Sequence, residues 1–211
     1  MKRSLMIIVG MILILSLSSA VLAAGIKNTK HDLSAGSTAE IKSVGEDQIC
    51  IFCHTPHNAI VPVPLWNRST ATGSTEFQLY MNEDTIDGTV SNDLAGTVSY
   101  MCLSCHDGTT ALNNYGYDPA SNPAVSGPGV TDGKLSSPAA LGKDLTNDHP
   151  INITYAYGQD PGLNNPDTIV CQLFDNTVQC GSCHSVHDNT NEPFLRMSNA
   201  GSALCLDCHN K

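Results

Sequence analysis

Eight consecutive residues, Cys50-Ile51-Phe52-Cys53-His54-Thr55-Pro56-His57, constrain this chain more than any other stretch. Two thiols and the histidine that follows them spell C-x-x-C-H, the attachment signal for c-type haem. The thiols bond covalently to the porphyrin's two vinyl groups, and the histidine turns its ring onto the iron from one side. His57 has no room on that iron, and at three residues from His54 it is placed to cap another. The motif recurs at Cys102–His106, Cys180–His184 and Cys205–His209, which makes four copies. Repeated C-x-x-C is also a zinc or disulfide pattern, so the fifth position decides. Histidine is scarce, with 8 in 211 residues. Its appearance after all four pairs has a chance of about two in a million, and zinc has no use for a histidine fixed in that place. The expected cofactors are four haem c groups on Cys50, Cys53, Cys102, Cys105, Cys180, Cys183, Cys205 and Cys208.

The spare histidines carry the argument further. Besides His54, His106, His184 and His209 the chain has four more, at positions 31, 57, 149 and 187. Four irons need four distal ligands, so His31, His57, His149 and His187 are expected to complete bis-His ligation. Methionine is the competitor, since Met/His haems occur. Only Met81, Met101 and Met197 lie outside the N-terminal apolar segment, and none has a matching spacing. Spacing suggests His187 for the haem at Cys205/Cys208 and His57 for the haem at Cys102/Cys105.

Residues 1–23 read as a signal peptide, with Lys2 and Arg3 as a basic start, an apolar run from Leu5 to Leu17 and a processing site at Val21-Leu22-Ala23. The run is short for a membrane span. Cleavage is therefore expected, with export to where c-type haem is attached and no integral membrane segment in the mature chain. Ile, Leu, Val and Phe make up 37 of the remaining 188 residues, near the limit below which burial fails without help. Haem is expected to be the core around which loops wrap, in a mostly irregular fold with short α-helices at the C-x-x-C-H motifs and a small β-hairpin. Without haem no stable fold is expected. Removing Lys2 and Arg3 leaves 8 basic against 20 acidic residues, a balance that excludes phosphate-backbone binding and hence nucleic acid.

The order along the chain suggests an N-terminal arm over residues 24–49, a first di-haem module over 50–115, a connection over 116–179 and a second di-haem module over 180–211. The arm carries His31 and shows no periodicity, so it could reach a neighbouring subunit. The modules echo each other: Cys50–His57 matches Cys180–His187, Pro64-Leu65-Trp66-Asn67-Arg68 resembles Pro193-Phe194-Leu195-Arg196, and Met101–Asp107 mirrors Leu204–Asn210. Asn82–Gly88 reads as a solvated turn and not a calcium loop. Residues 116–150 hold five Gly and five Pro, an irregular connection that closes on Asn147-Asp148-His149-Pro150, where proline stiffens His149. Ile151–Tyr157 alternates like a half-buried strand with Thr168–Phe174 as its antiparallel partner. The ninth cysteine, Cys171, reads as a buried apolar residue. Asn67-Arg68-Ser69 and Asn152-Ile153-Thr154 are formal glycosylation acceptors.

A haem enzyme needs an open sixth position. If histidine fills all eight axial sites, the irons exchange electrons and transform nothing, so an electron conduit is the first reading and no catalytic residue is expected. A soluble periplasmic tetrahaem shuttle and a multihaem oxidoreductase with one open iron are the alternatives.

Lys30-His31-Asp32-Leu33-Ser34, Cys50-x-x-Cys-His-Thr-Pro-His-Asn58, Cys102-Leu-Ser-Cys-His-Asp-Gly-Thr109, Asn147-Asp-His-Pro150 and Cys205-x-x-Cys-His209 together resemble the OmcE-type tetrahaem outer-surface cytochromes of metal-reducing bacteria. The resemblance spans nearly the whole mature chain. It implies extracellular filaments formed by self-association, a continuous haem chain that serves redox partner proteins or extracellular acceptors, a loop-rich fold, and one haem capped by a histidine from the adjacent protomer. The arm points to His31 for that role.

Overall fold

Seventeen glycines and eleven prolines spread through 211 residues interrupt every periodic run, so regular elements are short. The computed structural model describes residues 25–60 and 64–210. The segment read as a signal peptide lies outside them. No helix among the described residues is long and apolar enough to cross a membrane.

The strands come in pairs of two residues each. β1 (Lys42–Ser43) lies antiparallel to β3 (Val125–Ser126), and β2 (Gln78–Leu79) lies parallel to β6 (Asp144–Leu145). β4 (Val130–Thr131) and β5 (Lys134–Leu135) form a hairpin, while β7 (Ile153–Thr154) pairs antiparallel with β8 (Thr177–Val178). The register of β7 departs from the sequence expectation: Ile153 faces Val178, and Thr168–Phe174 is not its partner. Two left-handed residues, Asp175 and Asn176, turn the chain so tightly that the Phe174 and Thr177 amides and carbonyls bond each other at 3.0 and 2.8 Å. The strand direction reverses there, later than alternation suggests.

The longest helix among the described residues, α1 (Val98–His106), carries the second C-x-x-C-H. The Thr97 side chain caps it by accepting from the Tyr100 amide at 3.2 Å. α2 (Cys180–Cys183) and α3 (Ala203–Cys208) carry the third and fourth motifs, and a 3-10 turn at Cys50–Phe52 opens the first. α1 and α2 are joined through fully buried Ser99, whose hydroxyl bonds Gln179 Oε1 and accepts from the Cys180 amide. Gly181 permits this approach: a Cβ there would lie 2.8 Å from Val98 and 3.0 Å from Phe174.

Two apolar clusters form. One gathers Phe52, Leu112, Tyr115, Val125 and Leu135, the other Phe77, Leu79, Leu94, Leu103 and Leu145. Both lie within residues 52–145. Beyond Ala156 the buried apolar side chains among the described residues are Cys171 and Phe194 alone. The N-terminal arm is built into this body: Asp32, Ser34 and Ser43 are buried, β1 joins β3, and Asp32 caps its own turn by accepting from the Asn28 amide and the Ser34 hydroxyl.

Candidate functional site

Three of the four C-x-x-C-H motifs are gripped by one recurring strap. At the first motif, Asn67 N–H donates to Cys53 O (2.8 Å), Trp66 bridges to His54, and Thr55 N–H donates to Leu65 O (3.1 Å). At the third, Arg196 N–H donates to Cys183 O (2.9 Å), Leu195 bridges to His184, and Ser185 N–H donates to Phe194 O (2.7 Å). The fourth repeats it with a strap that precedes the motif in the chain: Asn164 N–H donates to Cys208 O (2.8 Å), Leu163 bridges to His209, and Asn210 N–H donates to Gly162 O (2.9 Å). Each strap begins with proline: Pro64, Pro193 and Pro161. The last strap side chain reaches back to the residue after the first cysteine, with Asn67 Nδ2 on Ile51 O (2.8 Å), Arg196 Nε on Gly181 O (2.6 Å) and Asn164 Nδ2 on Leu206 O (3.0 Å). Leu65 and Phe194 sit at matching left-handed positions, a conformation that non-glycine residues hold only where the surroundings enforce it. Sequence comparison shows two of these straps. The third escapes it because Pro161-Gly162-Leu163-Asn164 lies before its motif.

The straps also fix the imidazoles. His54 Nδ1 lies 2.9 Å from Pro64 O and His184 Nδ1 lies 3.0 Å from Pro193 O. His106 Nδ1 meets Ala139 O at 2.7 Å and His149 Nδ1 meets Pro150 O at 2.9 Å. A carbonyl only accepts, so each Nδ1 carries a hydrogen and Nε2 is the ring atom left to face a metal. His31 stands apart from these four. Burial, with His106, His184 and His187 nearby, pushes it down to about 4, and its Nδ1 is buried with no protein partner.

The rings pair across the motifs. Centroids are 6.1 Å apart for His31 and His106, 6.2 Å for His54 and His187, and 6.3 Å for His149 and His209. A metal–imidazole bond of about 2 Å, with the ring centre about 1 Å behind its nitrogen, places two rings on opposite sides of one iron about 6 Å apart. The donor set and its spacing therefore fit haem. The pairing differs from that suggested by spacing. His187 lies opposite His54, where the spacing suggested the fourth motif for it, and His31 faces His106, the place expected for His57. His31 thus finds its ring partner within its own chain. The His54–His187 pair links segments 50–115 and 180–211, and His57 and His184 remain, both exposed.

Sulfur atoms of successive motifs adjoin. Cys53 and Cys105 pack on the same apolar cluster, Cys102 lies against Cys180, and Cys171 lies against both Cys183 and Cys208. Those two neighbours, and then burial, push the Cys171 thiol well above the usual range. Asp207 lies against it and could join Cys171 and Cys208 around a cation. Its carboxylate is engaged by the Val170 and Cys171 amides, which hold it below the usual carboxylate range against the opposing effect of burial. Both glycosylation acceptors, Asn67 and Asn152, are buried.

Residues 175–211 match the doubled CXXCH motif family. The match supports a multihaem c-type cytochrome with covalently bound haem c, whose family work is electron transfer. Among curated proteins no relative matches the chain. The doubled-motif segment holds the third and fourth C-x-x-C-H copies, and its two straps come from inside it, at Pro193–Arg196, and from outside it, at Pro161–Asn164.

Proposed function

We propose that the chain is a tetrahaem electron conduit that polymerises into an extracellular filament. The observation that carries the conduit is the set of three imidazole pairs at 6.1–6.3 Å. Haem iron supplies a one-electron ferric/ferrous couple when bound. The protein's part is to close both axial positions, which excludes substrate, and to hold the attachment thiols in series: Cys53 by Cys105, Cys102 by Cys180, Cys183 and Cys208 on either side of Cys171. His31 serves the second motif, His187 the first and His149 the fourth.

The filament rests on His57 and His184. Each lies exposed, and beside His57 a rim of Pro56, Ile60 and Leu65 is exposed as well. In this reading His57 of one copy caps the iron held at His184 of the next. The resemblance to filament-forming outer-surface cytochromes supports that choice. One observation favours a monomeric shuttle instead: His54 already faces His187, so an antiparallel continuation of the two H-x-x-H runs brings His57 toward His184 of the same chain. Electron microscopy of the mature holoprotein decides. Long filaments that His57→Ala converts to discrete particles are expected; single-chain particles in the unmodified protein favour the shuttle.

A further inference from the structure

Arg68 is 2% exposed, among the largest fully buried side chains. Its guanidinium makes five hydrogen bonds, all to uncharged acceptors. Nε donates to Ser104 Oγ (3.2 Å), Nη1 to Phe52 O (3.4 Å) and Leu112 O (2.8 Å), and Nη2 to Ser104 O (3.0 Å) and Ala111 O (2.9 Å). The ion pair formed among the described residues is Lys143–Glu76, which does not involve Arg68. The buried carboxylate of the adjoining segment, Asp107, is engaged by Thr72, Thr109 and Thr110 and not by the guanidinium. A buried cation without a paired anion is costly, so its position calls for an explanation.

That position is between two cofactor attachment loops. Phe52 lies between Cys50 and Cys53, and Ser104 lies between Cys102 and Cys105. One guanidinium thus holds the interior of the first and second motifs together. Its donors end on Phe52 O, next to Cys53, and on Ser104, next to Cys105, so the positive charge lies beside the attachment positions of both motifs. The far end of the chain of motifs has the opposite sign, because Asp207 lies inside the fourth attachment loop, bound by the Val170 and Cys171 amides.

We infer that Arg68 is a potential-tuning residue that raises the reduction potentials of the first two haems and makes them the electron-rich end of the conduit. The inference rests on the tetrahaem reading above. Reduction adds one electron, supplied by an external donor, to a ferric centre, with no bond made or broken. A fixed positive charge in a medium of low dielectric favours that added negative charge.

Spectroelectrochemical titration of the mature holoprotein tests it. Arg68→Gln should move two of the four midpoints to lower potential and leave the other two in place, and Arg68→Lys should keep all four. Arg68→Met supplies a second neutral side chain. Four unchanged midpoints, or four that move together, overturn the proposal. Where neither neutral variant matures, the order of reduction in the unmodified protein, followed haem by haem by paramagnetic NMR, decides: the first haem filling before the fourth is expected, and the reverse order overturns it. Haem stoichiometry separates the two levels of argument. Fewer than four covalent haems per chain removes the tetrahaem reading, whereas four haems with potentials indifferent to Arg68 removes the tuning role alone.

Discussion

The imidazoles of His187 and His54 lie opposite each other, ring centres 6.2 Å apart and planes 19° from parallel. His54 closes the first C-x-x-C-H and His187 follows the third by three residues, so this contact joins the two segments more directly than any strand among the described residues does. In the proposed reading it pairs His187 with the first motif. His187→Ala should keep the full haem content and open one iron per chain. The change is read as one equivalent of high-spin signal and one equivalent of bound carbon monoxide. His149→Ala should do the same at the fourth motif, and the double variant should open two. A His187→Ala protein that stays fully low-spin would remove the assignment.

The straps give a stability prediction. Asn67 is buried and is the partner of Ile51 O, so Asn67→Ala leaves an unsatisfied carbonyl and should cost about 1–3 kcal/mol. Asn164 is half-buried, and water can replace part of its bond to Leu206 O, so Asn164→Ala should cost less. Denaturant unfolding of the two holoproteins checks the order; equal midpoints, both at the unmodified value, would contradict the role of the strap.

Much of this was legible in the sequence, and the limits have physical reasons. Covalent attachment fixes the Cys and His spacing locally, so Cys50–His54 and its three repeats are readable from the chain. The pairing of distal histidines is a tertiary property. His31 and His106, or His149 and His209, meet through contacts such as Lys42–Ser43 on Val125–Ser126 and Asn164 on Cys208, which no spacing rule encodes. The partner of Ile153–Thr154 departs from the alternation for a related reason: β7 and β8 are two residues each, too short for alternation to set the register, and the left-handed Asp175–Asn176 turn decides it. Arg68 reads in the sequence as one of ten basic residues, and only its burial sets it apart.

The apolar clusters predict an uneven dependence on cofactor. Both lie within residues 52–145, and the chain beyond Ala156 buries little apolar surface apart from Cys171 and Phe194. Replacing Cys180, Cys183, Cys205 and Cys208 with Ala should therefore let amides beyond about residue 160 exchange as in an unfolded chain, while those of the Phe77–Leu145 cluster stay slow. Uniform protection along the chain would show that the C-terminal segment does not depend on haem for its fold.

Electron paramagnetic resonance of the resting, assembled holoprotein, quantified against total haem, tests the central claim most directly. The account predicts four low-spin bis-imidazole ferric centres per chain and no high-spin component. A high-spin signal near one spin per chain in the assembled protein would mean an open iron, and the reading of the chain as a conduit would give way to one in which substrate binds there.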